Sequence, residues 1–253
     1  MLIDAHAHLD KYSDDELART AGELSSGRFF TWAVSMDVSS YQRTLDIAPQ
    51  SAWMLPTFGV HPRRAPEYAG NVSELGPYID RSPALGEIGL DFHWVKEREH
   101  YPAQVKVLEY FLAAAREQDK VVNLHTKGAE RETLELLERY DIRRAIIHWY
   151  SGPPDILRAL VGFGAYFTFG VELPLSEKIR GHARAVPLKQ ILTETDNPGG
   201  LKWLTGEVGG PEILLRVRDA LAAVKACEPD AIEKAVEENF RTLMAGANFL
   251  VDR

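Results

Sequence analysis

Residues 1–10 read MLIDAHAHLD. An apolar start at Leu2 and Ile3 runs into Asp4, His6 and His8, three polar side chains at every second position. In an extended strand, residues two apart share a face, so His6 and His8 point the same way while Ala7 packs on the other side. Such groups are costly to bury unless hydrogen bonds, an opposite charge or a metal offset the lost hydration. The stretch reads as a strand that ends in a site.

Seven more β-rich runs follow it: 29–37, 53–61, 84–92, 120–127, 144–150, 165–170 and 190–196. With 2–9 they make eight, and helix-like segments separate them. In PAQVKVLEYFLAAAREQ, Val105, Leu108, Leu112 and Ala115 mark one face at helical spacing. After the eighth run, Pro211 is placed to start a helix in which Leu214, Val217, Leu221 and Val224 repeat that spacing, and Ile232, Val236 and Phe240 mark another. Length and composition alone allow one barrel or two smaller domains. Eight strands alternating with helices over 253 residues are the arithmetic of an α/β fold of the (β/α)8 TIM-barrel type. A doubly wound open sheet is the competitor, but neither G-x-G-x-x-G after the first strand nor a Walker A sequence occurs. With no linker or low-complexity stretch, 1–253 reads as one domain.

The formal net charge is −8, which argues against a global basic field for coating nucleic acid while leaving a local site open. A single cysteine, Cys227, rules out an internal disulfide framework. No signal-peptide pattern opens the chain and no run of about 18 apolar residues occurs. The expectation is a cytoplasmic protein with no membrane association and no obligate protein partner.

The unusual polar residues fall at or near the C-terminal ends of the strands: His6 and His8 on the first, His61 on the third, Glu87 and Asp91 on the fourth, His125 on the fifth, His148 on the sixth and Asp196 on the eighth. In a parallel barrel those ends converge on one rim. The partner most compatible with such a collection of imidazoles and carboxylates is a divalent cation or a pair of them.

DAHAHLD, FGVHP, GEIGLDFH, NLHTK, HWYSG and ETDNP, in this order and from residue 3 to about 245, resemble the signatures of the TatD-like metal-dependent hydrolases, a branch of the amidohydrolase superfamily. The resemblance implies two divalent metal ions, with Zn, Mn or Mg all compatible. His6 and His8 would hold the first metal, Glu87 would bridge both, His125 and His148 would hold the second, and Asp196 would complete the first and accept a proton from the attacking water. It implies for His61 a place beside the metals without ligation, where an imidazolium could meet a phosphate oxygen. Two such cations lower the pKa of a shared water and hold a phosphodiester for in-line attack. A DNA end or a small phosphodiester is the implied substrate.

Three positions depart from the family pattern. Lys127 replaces a frequent arginine, keeping the charge but losing the planar fork. Trp149 stands where a small cysteine is common, and could fill a pocket or stack on a base. The loop GEVGGP lacks the basic residue many relatives carry there.

Several residues carry two readings. Asp4 either orients a ligand histidine or is a structural acid. His93 and His100 read as loop histidines, His182 as solvated, and Asp91 as shaping the rim. Most aromatic residues of strands two, three and seven read as core, in contrast to Trp94, Trp149 and Trp203, which follow site motifs; EREH and EENF read as solvated helix faces. The leading function is a two-metal phosphodiesterase of the 3′-exonuclease DNase type, with Asp196, Glu87 and His61 catalytic and His61, Lys127 and Trp149 contacting substrate. The alternatives are hydrolysis of a carboxylic ester, lactone, amide or aminoacyl ester, and a non-enzymatic metal-binding scaffold.

Overall fold

The structure is a computed structural model, and it describes residues 1–245. The short apolar runs form eight parallel strands: β1 (Leu2–Ala7), β2 (Phe29–Ala33), β3 (Met54–Pro56), β4 (Leu85–Gly89), β5 (Val122–His125), β6 (Ala145–Ile147), β7 (Tyr166–Phe169) and β8 (Ile191–Thr193). They pair in chain order as two sheets, β1-β2-β3 and β4-β5-β6-β7-β8. The arrangement is that of a (β/α)8 barrel whose hydrogen-bonded ladder is interrupted at two seams.

The seam between β3 and β4 is crossed by an isolated bridge from Phe58 to Leu85, and Ser35 pairs with the Gly86–Glu87 peptide, its N–H donating to Gly86 O and its carbonyl accepting from the Glu87 N–H. Gly59 makes this possible, because a Cβ there would collide with the Glu87 backbone. The seam between β8 and β1 is bonded beyond the ladder: Asp196 N–H donates to His6 O at 2.9 Å, and His8 N–H to Asn197 O at 2.8 Å. Inside this seam the Asp4 carboxylate accepts from the Thr195 N–H at 2.9 Å and the Thr195 hydroxyl at 2.7 Å. Asp4 is therefore a staple between the first and last strands. It does not contact a histidine ring, and of its two readings the structural one holds.

The strands are shorter than the apolar runs, since the residues that carry the site lie where the ladder has given way to irregular pairing. Bulges fall between Asp4 and Ala7 and between Leu85 and Ile88. Between strands, helices bury the faces their spacing marks. In Tyr101–Glu117, Val107, Leu108, Phe111, Leu112 and Ala115 are buried, and Val105 lies at the edge. The helix expected at Pro211 spans Ile213–Lys225, two residues later, after a turn in which the Leu214 N–H bonds Pro211 O.

Two surface readings are overturned. His182 is buried against the Tyr150 ring, because its spacing with Ile179 and Ala183 in the helix Glu177–Ala185 turns all three inward. In EENF, Asn239 and Phe240 are buried, and the Asn239 amide donates to Leu188 O and Ile191 O, tying the helix Pro229–Leu243 to the start of β8. Phe29, Phe30, Trp32, Phe58, Phe167 and Phe169 are core, as read. No helix among the described residues is long and apolar enough to cross a membrane.

Asp4→Ala leaves both Thr195 donors without their acceptor inside the closing seam. Urea denaturation of metal-stripped protein is expected to show a loss of about 3 kcal/mol, at about 1–3 kcal/mol per unsatisfied buried group, and Asp4→Asn a smaller one. An unchanged midpoint for Asp4→Ala would contradict the staple.

Candidate metal centre

The strand ends bring Glu87 to the middle of five imidazoles. Glu87 is 2% exposed. Its Oε2 lies 3.4 Å from His8 Nε2 and 3.8 Å from His6 Nε2. Its Oε1 lies 2.9 Å from His125 Nδ1, 3.4 Å from His148 Nε2 and 3.7 Å from His61 Nε2. Asp196 closes the first group, with Oδ1 3.4 Å from His8 Nε2 and 3.7 Å from His6 Nε2. Residues separated by up to 190 positions in sequence thus share one point, and the two oxygens of Glu87 face different sets of nitrogens.

Hydrogen bonds on the far side of four of the five rings orient them, whereas the buried Nδ1 of His8 has no hydrogen-bond partner among the described residues. His6 Nδ1 lies 2.9 Å from Asn123 Oδ1, and the Asn123 amide nitrogen donates to Ala5 O, which fixes the oxygen toward the ring. His6 Nδ1 therefore carries the proton, and its buried Nε2 has no hydrogen-bond partner among the described residues. His148 Nδ1 donates to Glu194 Oε2 at 2.9 Å, and His125 Nε2 to Asp91 Oδ2 at 3.2 Å. His6 Nε2 and His148 Nε2 are thereby left with a lone pair facing the Glu87 cluster, the orientation metal-binding imidazoles require, while the His125 nitrogen turned toward Glu87 is Nδ1, 2.9 Å from Oε1. His61 is the reverse: its Nδ1 accepts from the Arg63 N–H at 3.1 Å, so Nε2 carries the proton that points toward Glu87.

A cation held at about 2.1 Å by tetrahedrally arranged ligands sets neighbouring donors about 3.4 Å apart. The 3.4–3.8 Å spacings around His6, His8, Glu87 and Asp196 fit that requirement and are too long for most hydrogen bonds. Hard carboxylate oxygens with imidazole nitrogens suit Zn or Mn as well as Mg. The donor set fits the metals expected from the sequence.

Protonation follows the same geometry. Burial lowers His61 to about 3, and lowers His6 and His148 to about 4, so all three are neutral near pH 7. His61 is thus a neutral N–H donor, in place of the imidazolium expected for it. Burial and Lys11 press His8 down as well, yet Asp196 and Glu87 outweigh them and raise it to about 9. Asp196 and Asp91 are held down to about 2 by their histidines against the effect of burial. In the metal-free protein His8 carries a proton where a cation would sit.

The cluster forms the floor of a cavity of about 810 Å³. Lys11, Arg63, Lys127 and Lys178 supply cations to its wall, and Trp94, Trp149 and Trp203 its aromatic surface. Lys127 donates to Trp149 O at 2.7 Å and Ser151 Oγ at 2.8 Å, so its ammonium orders the loop after β6 while lining the cavity. His93 is exposed on the cavity wall, and His100 is half-buried outside it.

Sequence reading missed Asn123 and Glu194, which orient His6 and His148. Glu194 had a signal: it stands two residues before Asp196 in a strand-like run. Asn123 stands two before His125 in the same way, but an amide carries no metal signature. Arg63 was legible only as a neighbour of His61. Asp91, read as shaping the rim, instead fixes His125.

The family model described as TatD related DNase matches residues 3–245. The chain belongs to this family. It is 26% identical to the metal-dependent hydrolase YcfH of Escherichia coli K12 over 96% of this chain and 95% of that protein. It is 27% identical to human deoxyribonuclease TATDN3, covering 78% of each. The crystal structure of YjjV, a TatD homologue from Escherichia coli K12, superposes with a TM-score of 0.81 at 26% identity, over 96% of this chain and 97% of that one. Like its relatives, this TatD family chain is a metal-dependent hydrolase acting on ester bonds, and the buried histidine and carboxylate clusters are able to hold the metal.

Two outcomes follow from the tautomers and charges. Glu194→Gln, which weakens the hold on His148 Nδ1, is expected to lower metal affinity about 10- to 100-fold, read by titrating stripped protein with Mn²⁺. Because His8 is protonated below about 9 without metal, a cation has to displace that proton. Apparent affinity is therefore expected to fall as pH falls from 8 to 6, by about tenfold per unit; a flat profile would show that His8 does not ligate.

Proposed function

We propose that this chain is a nuclease that hydrolyses phosphodiester bonds at the 3′ end of DNA, with 1–253 serving as one catalytic barrel domain. The observation that carries the reading is one buried carboxylate, Glu87, whose two oxygens face two different sets of imidazole nitrogens. In this reading His6, His8, Glu87 and Asp196 hold one divalent ion, and Glu87, His125 and His148 the other. Bound cations there supply Lewis-acid stabilisation of a phosphate and a water of lowered pKa.

The chain's own groups divide the remaining work. Asp196, ionised and partly open to the cavity, accepts the proton released by the attacking water. The His61 Nε2–H donates to a nonbridging phosphate oxygen, a role for which a neutral ring fixed by the Arg63 amide is suited. Arg63 and Lys11 offer the cavity wall's positive charge to the rest of the strand, and they take the place of the basic residue absent from GEVGGP. Lys127 reaches the substrate only through the loop it orders and whatever donor capacity its two bonds leave.

A cavity of about 810 Å³ lies in the range that encloses a drug-sized ligand, which supports entry of a strand end over a duplex. The 3′ polarity rests on the family resemblance. Glu87 occupies the fourth-strand position where many amidohydrolases use a carboxylated lysine, which favours phosphodiesters over carboxylic esters and amides. The half-buried thiol of Cys227 fits a reducing, cytoplasmic setting.

The test is turnover of end-labelled single-stranded and 3′-recessed DNA by stripped protein reloaded with Zn²⁺, Mn²⁺ or Mg²⁺ in turn, with bis(p-nitrophenyl) phosphate and carboxylic esters in parallel. Metal-dependent release of mononucleotides is expected, with Asp196→Asn lowering kcat by about 10²- to 10⁴-fold and Glu87→Ala abolishing turnover. Intact DNA under every metal, with ester hydrolysis present, would overturn the nuclease reading.

A further inference from the structure

Three tryptophans stand over one side of the metal centre, each from a different loop. Trp149 follows His148 at the end of β6, Trp94 lies in the loop after β4, and Trp203 sits on the short helix Gly199–Thr205 after β8. Their rings meet edge to face, Trp149 with Trp203 at 6.1 Å and 74° and Trp203 with Trp94 at 6.5 Å and 82°. Trp149 is half-buried, whereas Trp203 is 67% and Trp94 48% exposed. Edge-to-face contact leaves ring faces open to a visitor.

The backbone that carries each indole is tied to a residue beside the metal cluster. The Trp149 N–H donates to Glu194, which also holds His148, and its ring N–H donates to Glu172 at 2.6 Å. The Trp94 N–H donates to Asp91 Oδ1 at 2.6 Å, while the other oxygen of Asp91 holds His125. The helix of Trp203 begins where Gly200 N–H bonds Asp196 O at 2.7 Å. The row of rings is thereby set at a fixed offset from Glu87 and Asp196.

We propose that Trp149, Trp203 and Trp94 form a stepped platform on which the unpaired terminal bases of a single-stranded nucleic acid stack. The enzyme then selects ends by the presence of unpaired bases rather than by their identity. This rests on the nuclease reading and adds to it the feature of the substrate that is recognised. All three rings line the same cavity as His8, Glu87 and Asp196, so whatever occupies the platform extends to the metal ligands and is a substrate, not a docked protein. The platform's charge surroundings suit a polyanion with flat neutral faces: the Lys127 ammonium lies 5.7 Å from the Trp149 ring centre, and Lys178 lines the same wall. Every base has a π-face, so stacking of this kind tolerates sequence.

The test compares one single-stranded oligonucleotide with a version whose three 3′-terminal nucleotides are abasic, and with a blunt duplex. KM and kcat are measured on metal-loaded enzyme, and quenching of tryptophan fluorescence on stripped protein, where nothing turns over. Wild-type enzyme is expected to show a lower KM and stronger quenching with the base-bearing single strand than with the other two. In Trp203→Ala and Trp94→Ala the ratio of abasic to base-bearing KM is expected to fall by about 5- to 100-fold, from the loss of one base–ring stack. Trp203→Phe should restore most of it. A wild-type enzyme that cleaves DNA without distinguishing abasic ends, or variants that keep the wild-type ratio, would overturn the platform and leave the nuclease reading standing. Absence of both cleavage and quenching with every nucleic acid, with small phosphodiesters hydrolysed, would overturn both.

Discussion

A carboxylate buried as completely as Glu87 has to be met by positive charge or by donors. Five imidazoles from four loops and strands converge on it, and three of them are neutral by burial. The remaining demand falls on the proton at His8 and on the His125 Nδ1 contact with Glu87 Oε1 in the metal-free protein, and on cations when they are bound. The rest of the molecule is arranged around this deficit. The two seams of the barrel lie on either side of it, one opened for close approach by Gly59 and the other closed by Asp4 and Thr195.

The surrounding polar groups convert that demand into specific chemistry. Asn123 and Glu194 each take the proton of one imidazole nitrogen and leave the other nitrogen's lone pair facing inward, and Asp91 holds Nε2 of His125 so that Nδ1 faces Glu87. The Arg63 amide does the opposite to His61. Four of the five histidines gathered within one cluster are thus oriented, with His61 set apart as an N–H donor, by neighbours on the far side of their rings. Glu194 and Asp91 also hold the backbone of Trp149 and Trp94, so the same carboxylates that orient the rings of the floor position the aromatic wall.

Much of this was legible in one dimension. The eight apolar runs announced the strands, and period-two alternation placed His6 and His8 on one face. The six motifs pointed to His6, His8, Glu87, His125, His148 and Asp196 as candidate ligands, and the fold gathers all six. The misreadings have a common cause. His182 looked solvated because its neighbours Glu177, Lys178 and Arg184 are charged, yet a helix buries by angle and not by average polarity. Lys127, read as a substrate contact, does line the cavity, but a sequence does not show that Trp149 O and Ser151 Oγ lie within reach of its ammonium.

By itself the sequence determined the fold class, the family and the identity of the clustered residues, since these follow from local periodicity and from motifs a few residues long. Only the tertiary structure decided which ring nitrogens of His6 and His148 are free, that His61 donates where those two offer lone pairs, that Asp4 closes the barrel instead of orienting a histidine ring, and that three distant tryptophans share one wall. Those outcomes depend on contacts such as Asp4 with Thr195, 191 positions apart, and no local pattern records a partner that far along the chain.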